Sequence, residues 1–173
     1  MADEGNIISD LNLGQTGNGE DTQPTAGIIS QYIKDLSVEN PNSPQCFQWP
    51  DAPQLDVQFN ISAQPVEDEV HEVVLKIVAT AKAEGGTSYA VDLAYSALVG
   101  MRNLDAANEH AFLYAEAPRI LFPFARRIIA DAVRDAGFPP LMLDPIDFNG
   151  LYMQQLAASQ QKQEGEDAPT GNA

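Results

Sequence analysis

The chain carries a single cysteine, Cys46, and only nine basic residues against 25 acidic ones. One thiol excludes an internal disulfide, and with Gln45 and Phe47 as its neighbours it has no basic group beside it to lower its pKa, so it reads as inert. A formal charge of −16 repels phosphates and argues against nucleic acid or an anionic lipid surface as a partner. No apolar run reaches the about 18 residues of a membrane span, and no basic-then-apolar leader follows Met1, so neither membrane insertion nor secretion is expected and a cytoplasmic location is. Glycine-rich phosphate loops, a G-x-S-x-G elbow and H-x-x-x-H or C-x-x-C spacings are all missing. His71 and His110 lie in different segments with no cysteine near either, so neither a metal site nor a cofactor is expected, and the chain does not read as an enzyme.

What is present suits one folded domain with acidic tails, for 173 residues are enough for one real core and too few for two. Residues 1–27 hold Asp3, Glu4, Asp10, Glu20 and Asp21 without a Lys or Arg, and residues 163–173 hold Glu164, Glu166 and Asp167. Both stretches are poor in large apolar groups and cannot offset the entropy of ordering, so disorder is expected there and the domain over 28–162.

Within the domain, "LDVQFNISA" (55–63) alternates Leu55, Val57, Phe59, Ile61 and Ala63 with polar groups, the period of a half-buried strand. "VHEVVLKIVATAKA" (70–83) alternates similarly but with a mixed second face bearing Val70, Val74 and Val78, and "EGGT" offers two glycines free to take positive φ for a tight hairpin. The returning strand sets Tyr89, Val91, Leu93, Tyr95 and Val99 against Ser88, Ala90, Asp92, Ala94 and Ser96, a face of small groups that lets another surface come close. Helical spacing follows: a short helix capped by Asp105, then a main helix expected to begin near Leu121 or to kink there because of Pro123. Its expected apolar stripe is Leu121, Phe124, Ala125, Ile128, Ala132, Val133 and Ala136. Gly137 and "FPP" stop it, and a last helix starts at about Asp147. Four strands followed by two to three helices make an α+β arrangement, an antiparallel sheet with helices packed on one face. Apolar surface is then in excess, with Phe47 and Trp49 among prolines after the first strand, and surface of that kind calls for a partner.

Several separated stretches resemble one family in the right order. "YIKDLSVENPNSP" (32–44) looks like its opening strand and exit, "HEVVLKIVATA" its third strand, "RILFPFAR" the start of its main helix and "GFPPLMLDPIDFNGLY" the passage into its last helix. The chain resembles the SecB protein-export chaperones of bacteria from about Tyr32 to Leu156. The resemblance implies a cytoplasmic homotetramer, a dimer of dimers. It would bind unfolded preproteins without ATP hydrolysis and deliver them to the translocase ATPase SecA. Carried over by position, the motor contacts fall on Asp35, Glu39, Ala90 and Asp92, where Ala90 replaces a common large apolar residue. Residues affecting assembly fall on Tyr89, Val91, Leu93 and Tyr95, and the client groove on Phe47, Trp49 and Phe59. From a different class, a carrier of a small apolar ligand held between sheet and helices is the alternative.

Overall fold

The computed structural model describes the backbone of residues 22–166 and the side chains of residues 22–161. The disorder expected of residues 1–21 and 167–173 lies outside the described residues. Four strands come first: β1 (Thr25–Glu39), β2 (Gln54–Glu67), β3 (Val70–Ala83) and β4 (Gly86–Arg102). The first strand thus takes in Thr25 to Gly27, which composition assigned to the tail. Helices α1 (Ala106–Ala111), α2 (Ala117–Asp135) and α3 (Phe148–Glu166) follow.

The sheet is antiparallel throughout, in the order β1-β4-β3-β2. Successive hairpins build β2, β3 and β4, which leaves β2 and β4 as the two edges, and β1 pairs antiparallel with the free side of β4. Residues 40–53 carry the chain from that edge to the other. Alternation along the two inner strands sets one face of large apolar groups: Leu75 and Ile77 of β3 and Val91 and Leu93 of β4 are all buried, and α2 lies over them with Leu121, Ala125, Ile129 and Val133. Burial of each Leu, Ile or Val at this layer contributes about 1.5–3 kcal/mol.

Two helical expectations are corrected. The chain is helical without a break from Ala106, and Leu121 lies well inside this run, because a π turn over Phe112–Glu116 joins α1 to α2 just before Pro118. There Ala117 N–H donates to Phe112 O, five residues back, a widened turn that relieves the crowding a proline ring imposes on the preceding carbonyls. Pro123 is kept inside α2, since the sheet packed beneath holds the helix whether or not one backbone hydrogen bond is missing. The stripe facing the sheet is also rotated from the one expected. Phe122 and Ile129 are buried, whereas Phe124 is 44% exposed and stacks on Tyr95 at 6.4 Å. Apolar groups occupy more than one side of this helix, so periodicity alone could not say which side meets the sheet.

Gly137, with φ of 96°, ends α2, and Phe138 N–H donates to Val133 O. Asp147 caps α3 by accepting from Gly150 N at 2.9 Å, and a Cβ on Gly150 would lie 2.4 Å from the Asp147 carboxylate.

Among the described residues no helix covers the other face of the sheet, where side-chain hydrogen bonds centre on Glu72. Its carboxylate accepts from Tyr32 Oη at 2.6 Å, Lys34 Nζ at 2.7 Å and Gln64 Nε2 at 2.7 Å. Tyr32 and Lys34 belong to β1, two strands from Glu72; Tyr32 pairs with Ser96 of β4, and Glu72 with Leu98 two residues further along the same strand, so the reach runs diagonally past Ser96. Glu72 is only 6% exposed; the hydrogen bonds from Lys34 and then Tyr32 hold its carboxyl below the usual glutamate range. Burial, then the bond to Glu72, pushes the Tyr32 phenol from 10.0 up to about 12.

Both shifts favour the folded state, on opposite sides of neutrality. A depressed glutamate contributes stability above its unfolded pKa and loses it as pH falls through the depressed value. The raised phenol contributes below 10.0 and loses its contribution as pH rises toward about 12. Glu72→Gln is expected to cost about 1–3 kcal/mol at neutral pH and to flatten the acid limb of stability against pH in urea titrations. An unchanged acid limb would locate that dependence elsewhere.

Candidate functional site

The four residues carried over as motor contacts come from two neighbouring strands and share the open face. Glu39 pairs with Ala90, Ser37 with Asp92 and Asp35 with Ala94, and paired residues in an antiparallel ladder point the same way. A feature absent from the alternation makes this possible. Tyr32 pairs with Ser96 on the open face and Ile33 with Tyr95 on the helix face, but the register shifts between Ile33 and Asp35, leaving Lys34 as an extra residue. A bulge of one residue inverts the parity of everything after it, so without this one Asp35 and Glu39 would turn toward the helices.

The bulge also bears on charge. Lys34 precedes Asp35 directly, yet its ammonium is drawn 2.7 Å from Glu72. Lys76 lies 3.2 Å from Asp92. None of the ion pairs among the described residues includes Asp35 or Glu39. Both are exposed, so this edge presents two unneutralised carboxylates beside the partly neutralised Asp92, a surface complementary to a basic partner.

The crossover from β1 to β2 positions Phe47 and Trp49. Asn40 Nδ2 donates to Ala136 O at 3.1 Å and Asn42 Nδ2 to Thr87 O at 2.9 Å, which tie the connection to the end of α2 and the start of β4. The Cys46 thiol, buried, donates to Asn40 Oδ1 at 3.4 Å. Its place is that of an anchor. Phe47 packs at 5.1 Å on Phe138, which in turn lies 4.9 Å from Tyr89, yet Phe47 keeps 49% of its surface in solvent.

Phe59 is elsewhere. It lies on edge strand β2, 6.4 Å from Phe122 and 40% exposed, and lines a cavity of about 230 Å³ with Tyr114, Ile146, Leu151 and Tyr152. The three aromatics therefore occupy two places, one on the crossover and one beside α3. Leu151 and Tyr152 come to this cavity from α3, opposite Phe59 and Ile61 of β2. Tyr152 is fixed by a 2.9 Å hydrogen bond with His110 Nδ1, the structural use of that histidine. Among the described residues no group of three or more His, Cys, Asp or Glu side chains could hold a metal ion.

Tyr89, Val91, Leu93 and Tyr95, carried over as assembly residues, lie inside the core of a single chain, the most exposed at 7%. With α2 and Phe138 over them they have almost no surface to give another copy, and they could affect assembly only through the packing of the sheet. The exposed apolar groups of that face at the β1 edge are Ile33, Leu36 and Val38 of β1 and Phe124 of α2, with Leu55 and Phe59 exposed at the opposite edge on β2.

Comparison with known proteins agrees with this architecture. A family model described as preprotein translocase subunit SecB matches residues 19–159. The chain is 63% identical to a protein-export protein SecB of Novosphingobium aromaticivorans, with 100% of both chains covered. It is 59% identical to one from Erythrobacter litoralis, again over 100% of each chain, and 49% identical to one from Zymomonas mobilis, over 96% of this chain and 100% of that one. Among solved structures, a SecB-like chaperone of Mycobacterium tuberculosis in complex with an antitoxin peptide has the same fold. Its TM-score is 0.59 at 16% identity, over 70% of this chain and 90% of that chain. With a family model over residues 19–159 and relatives 59% and 63% identical over the full length of each chain, the chain belongs to the SecB family.

Proposed function

We infer that the chain is a protein-export chaperone: it binds unfolded preproteins, keeps them competent for translocation and passes them to the SecA ATPase. The carrying observation is half-exposed aromatic surface, Phe47 and Phe59, on a strongly acidic chain of the SecB family. Apolar client segments cover such surface, while net negative charge keeps the empty protein from associating with itself at random. Clients are held by burial alone, in the cytoplasm and without ATP or catalysis. The ordering entropy of each segment limits its affinity, so release to a motor remains easy.

In this reading Phe47, Trp49 and Phe59 contact the client, and Asp35, Glu39 and Asp92 meet basic groups of the motor. Ala90, small and opposite Glu39, leaves the charges to do most of that work. Assembly is a homotetramer, a dimer of dimers, with Ile33, Leu36, Val38 and Phe124 as the apolar groups available to it. The cavity beside α3 favours one other reading, a carrier of a small apolar ligand. At about 230 Å³ it lies below the roughly 300–1,000 Å³ of ordinary ligand pockets.

A denatured preprotein diluted into near-equimolar amounts of this protein is expected to refold several times more slowly than alone. No delay, together with tight retention of a small apolar ligand, would select the carrier. Light scattering at moderate concentration is expected to give about four times the 18.7 kDa chain mass, and a strict monomer would remove the tetramer. Asp35→Asn with Glu39→Gln is expected to weaken SecA binding about tenfold at low salt and to reduce its salt dependence, with client holding intact. Loss of client holding with SecA affinity unchanged would overturn the assignment of that strip.

A further inference from the structure

Both aromatic side chains of the crossover rest on glycines from distant parts of the chain, but the two glycines are there for different reasons. A Cβ on Gly137 would lie 3.0 Å from the Phe47 ring, and the φ of +96° at that position already requires glycine. Gly85 lies in the β3–β4 turn, where the positive φ belongs to Gly86 and not to Gly85. Backbone conformation therefore does not call for glycine at 85. Space does: a Cβ there would meet Trp49 Cε2 at 2.6 Å, Cζ2 at 2.7 Å and Nε1 at 3.0 Å. These are atoms of one rigid bicycle, and ordinary carbon contacts are about 3.5–4.0 Å, so the ring as a whole would have to lift by about an ångström. Gly86 belongs to the same seat, since a Cβ on it would lie 3.1 Å from Asn42 Nδ2 and 3.8 Å from Trp49 Cη2. Asn42 then closes the arrangement by donating to Thr87 O at 2.9 Å.

We propose that Gly85 is a positioning residue of the client site: the β3–β4 turn is the platform that sets the height and tilt of the Trp49 ring. The turn takes no client itself. Its missing side chain lets the indole lie flat against the backbone and keeps the ring in one place, so less freedom is lost when a client segment binds. This rests on the reading of Trp49 as a client contact, but the seat can be tested without it. Trp49 is the only tryptophan in the chain, so its fluorescence reports its surroundings alone.

The test uses the full chain with Gly85→Ala, Trp49→Ala and the double variant. In Gly85→Ala the emission maximum and acrylamide quenching of Trp49 are expected to shift, and affinity for a denatured preprotein in the refolding-delay assay to fall about three- to tenfold. In the Trp49→Ala background Gly85→Ala is expected to add no further loss, because the seat acts through the ring. Unchanged fluorescence in Gly85→Ala, or an equal loss of affinity with and without Trp49, would overturn the proposal. Should Trp49→Ala hold clients as well as the native chain, the client reading of Trp49 fails while the fluorescence still decides the seat. If Gly85→Ala does not fold, Asn42→Ala, which cuts the tether to Thr87 without adding bulk, is expected to shift Trp49 emission; no shift there counts against the platform.

Discussion

Strand β4 has hydrogen-bonded neighbours on both sides, and between residues 89 and 96 it divides large side chains from small ones. Tyr89, Val91, Leu93 and Tyr95 form the layer under α2, so the helices can lie on one face only. Ala90, Asp92, Ala94 and Ser96 on the other face stand too low to block what crosses them. Tyr32 and Lys34 therefore span the strand to reach Glu72 on β3. Ser96, which pairs with Tyr32, lies on the diagonal between that phenol and Glu72, and a larger group there would crowd the crossing.

Charge on the open face follows from the same geometry. The Lys34 ammonium is held by the Glu72 carboxylate, none of the ion pairs among the described residues includes Asp35 or Glu39, and the bulge at Lys34 turns both acids outward. That the acids of this edge lie on the open face is a consequence of one residue's register.

The alternation of 55–63 and 70–83 was legible because half-buried strands select side chains with period two, and β2 and β3 lie where it placed them. Pro123 does not mark the start of the helix, as its local rule would have it, because that rule counts only a lost amide proton and a ring clash. It does not count the sheet packed beneath α2 or the π turn ahead of Pro118. Phe124 was misplaced because α2 has apolar groups on two sides, and only the sheet chooses between them. The glycine pair at 85 and 86 was legible as a turn, but one of its two reasons was hidden, since the indole that needs Gly85 stands 36 positions earlier in the chain. Of the aromatic residues, Phe47 and Trp49 could be grouped by their closeness in sequence. That Phe59 joins Tyr152 and Leu151 instead depends on α3 returning to edge strand β2.

Composition and periodicity by themselves determined the α+β class, the direction of the chain through three hairpin-linked strands, the acidic character and the excess of apolar surface. These properties are sums or short-range repeats, and each can be read within a few residues. The tertiary structure alone decided where β1 bulges, which side of α2 is buried, where Lys34 spends its charge and what Gly85 makes room for. Each of those depends on groups tens of residues apart meeting within hydrogen-bond or van der Waals distance, and no local pattern in the chain encodes that meeting.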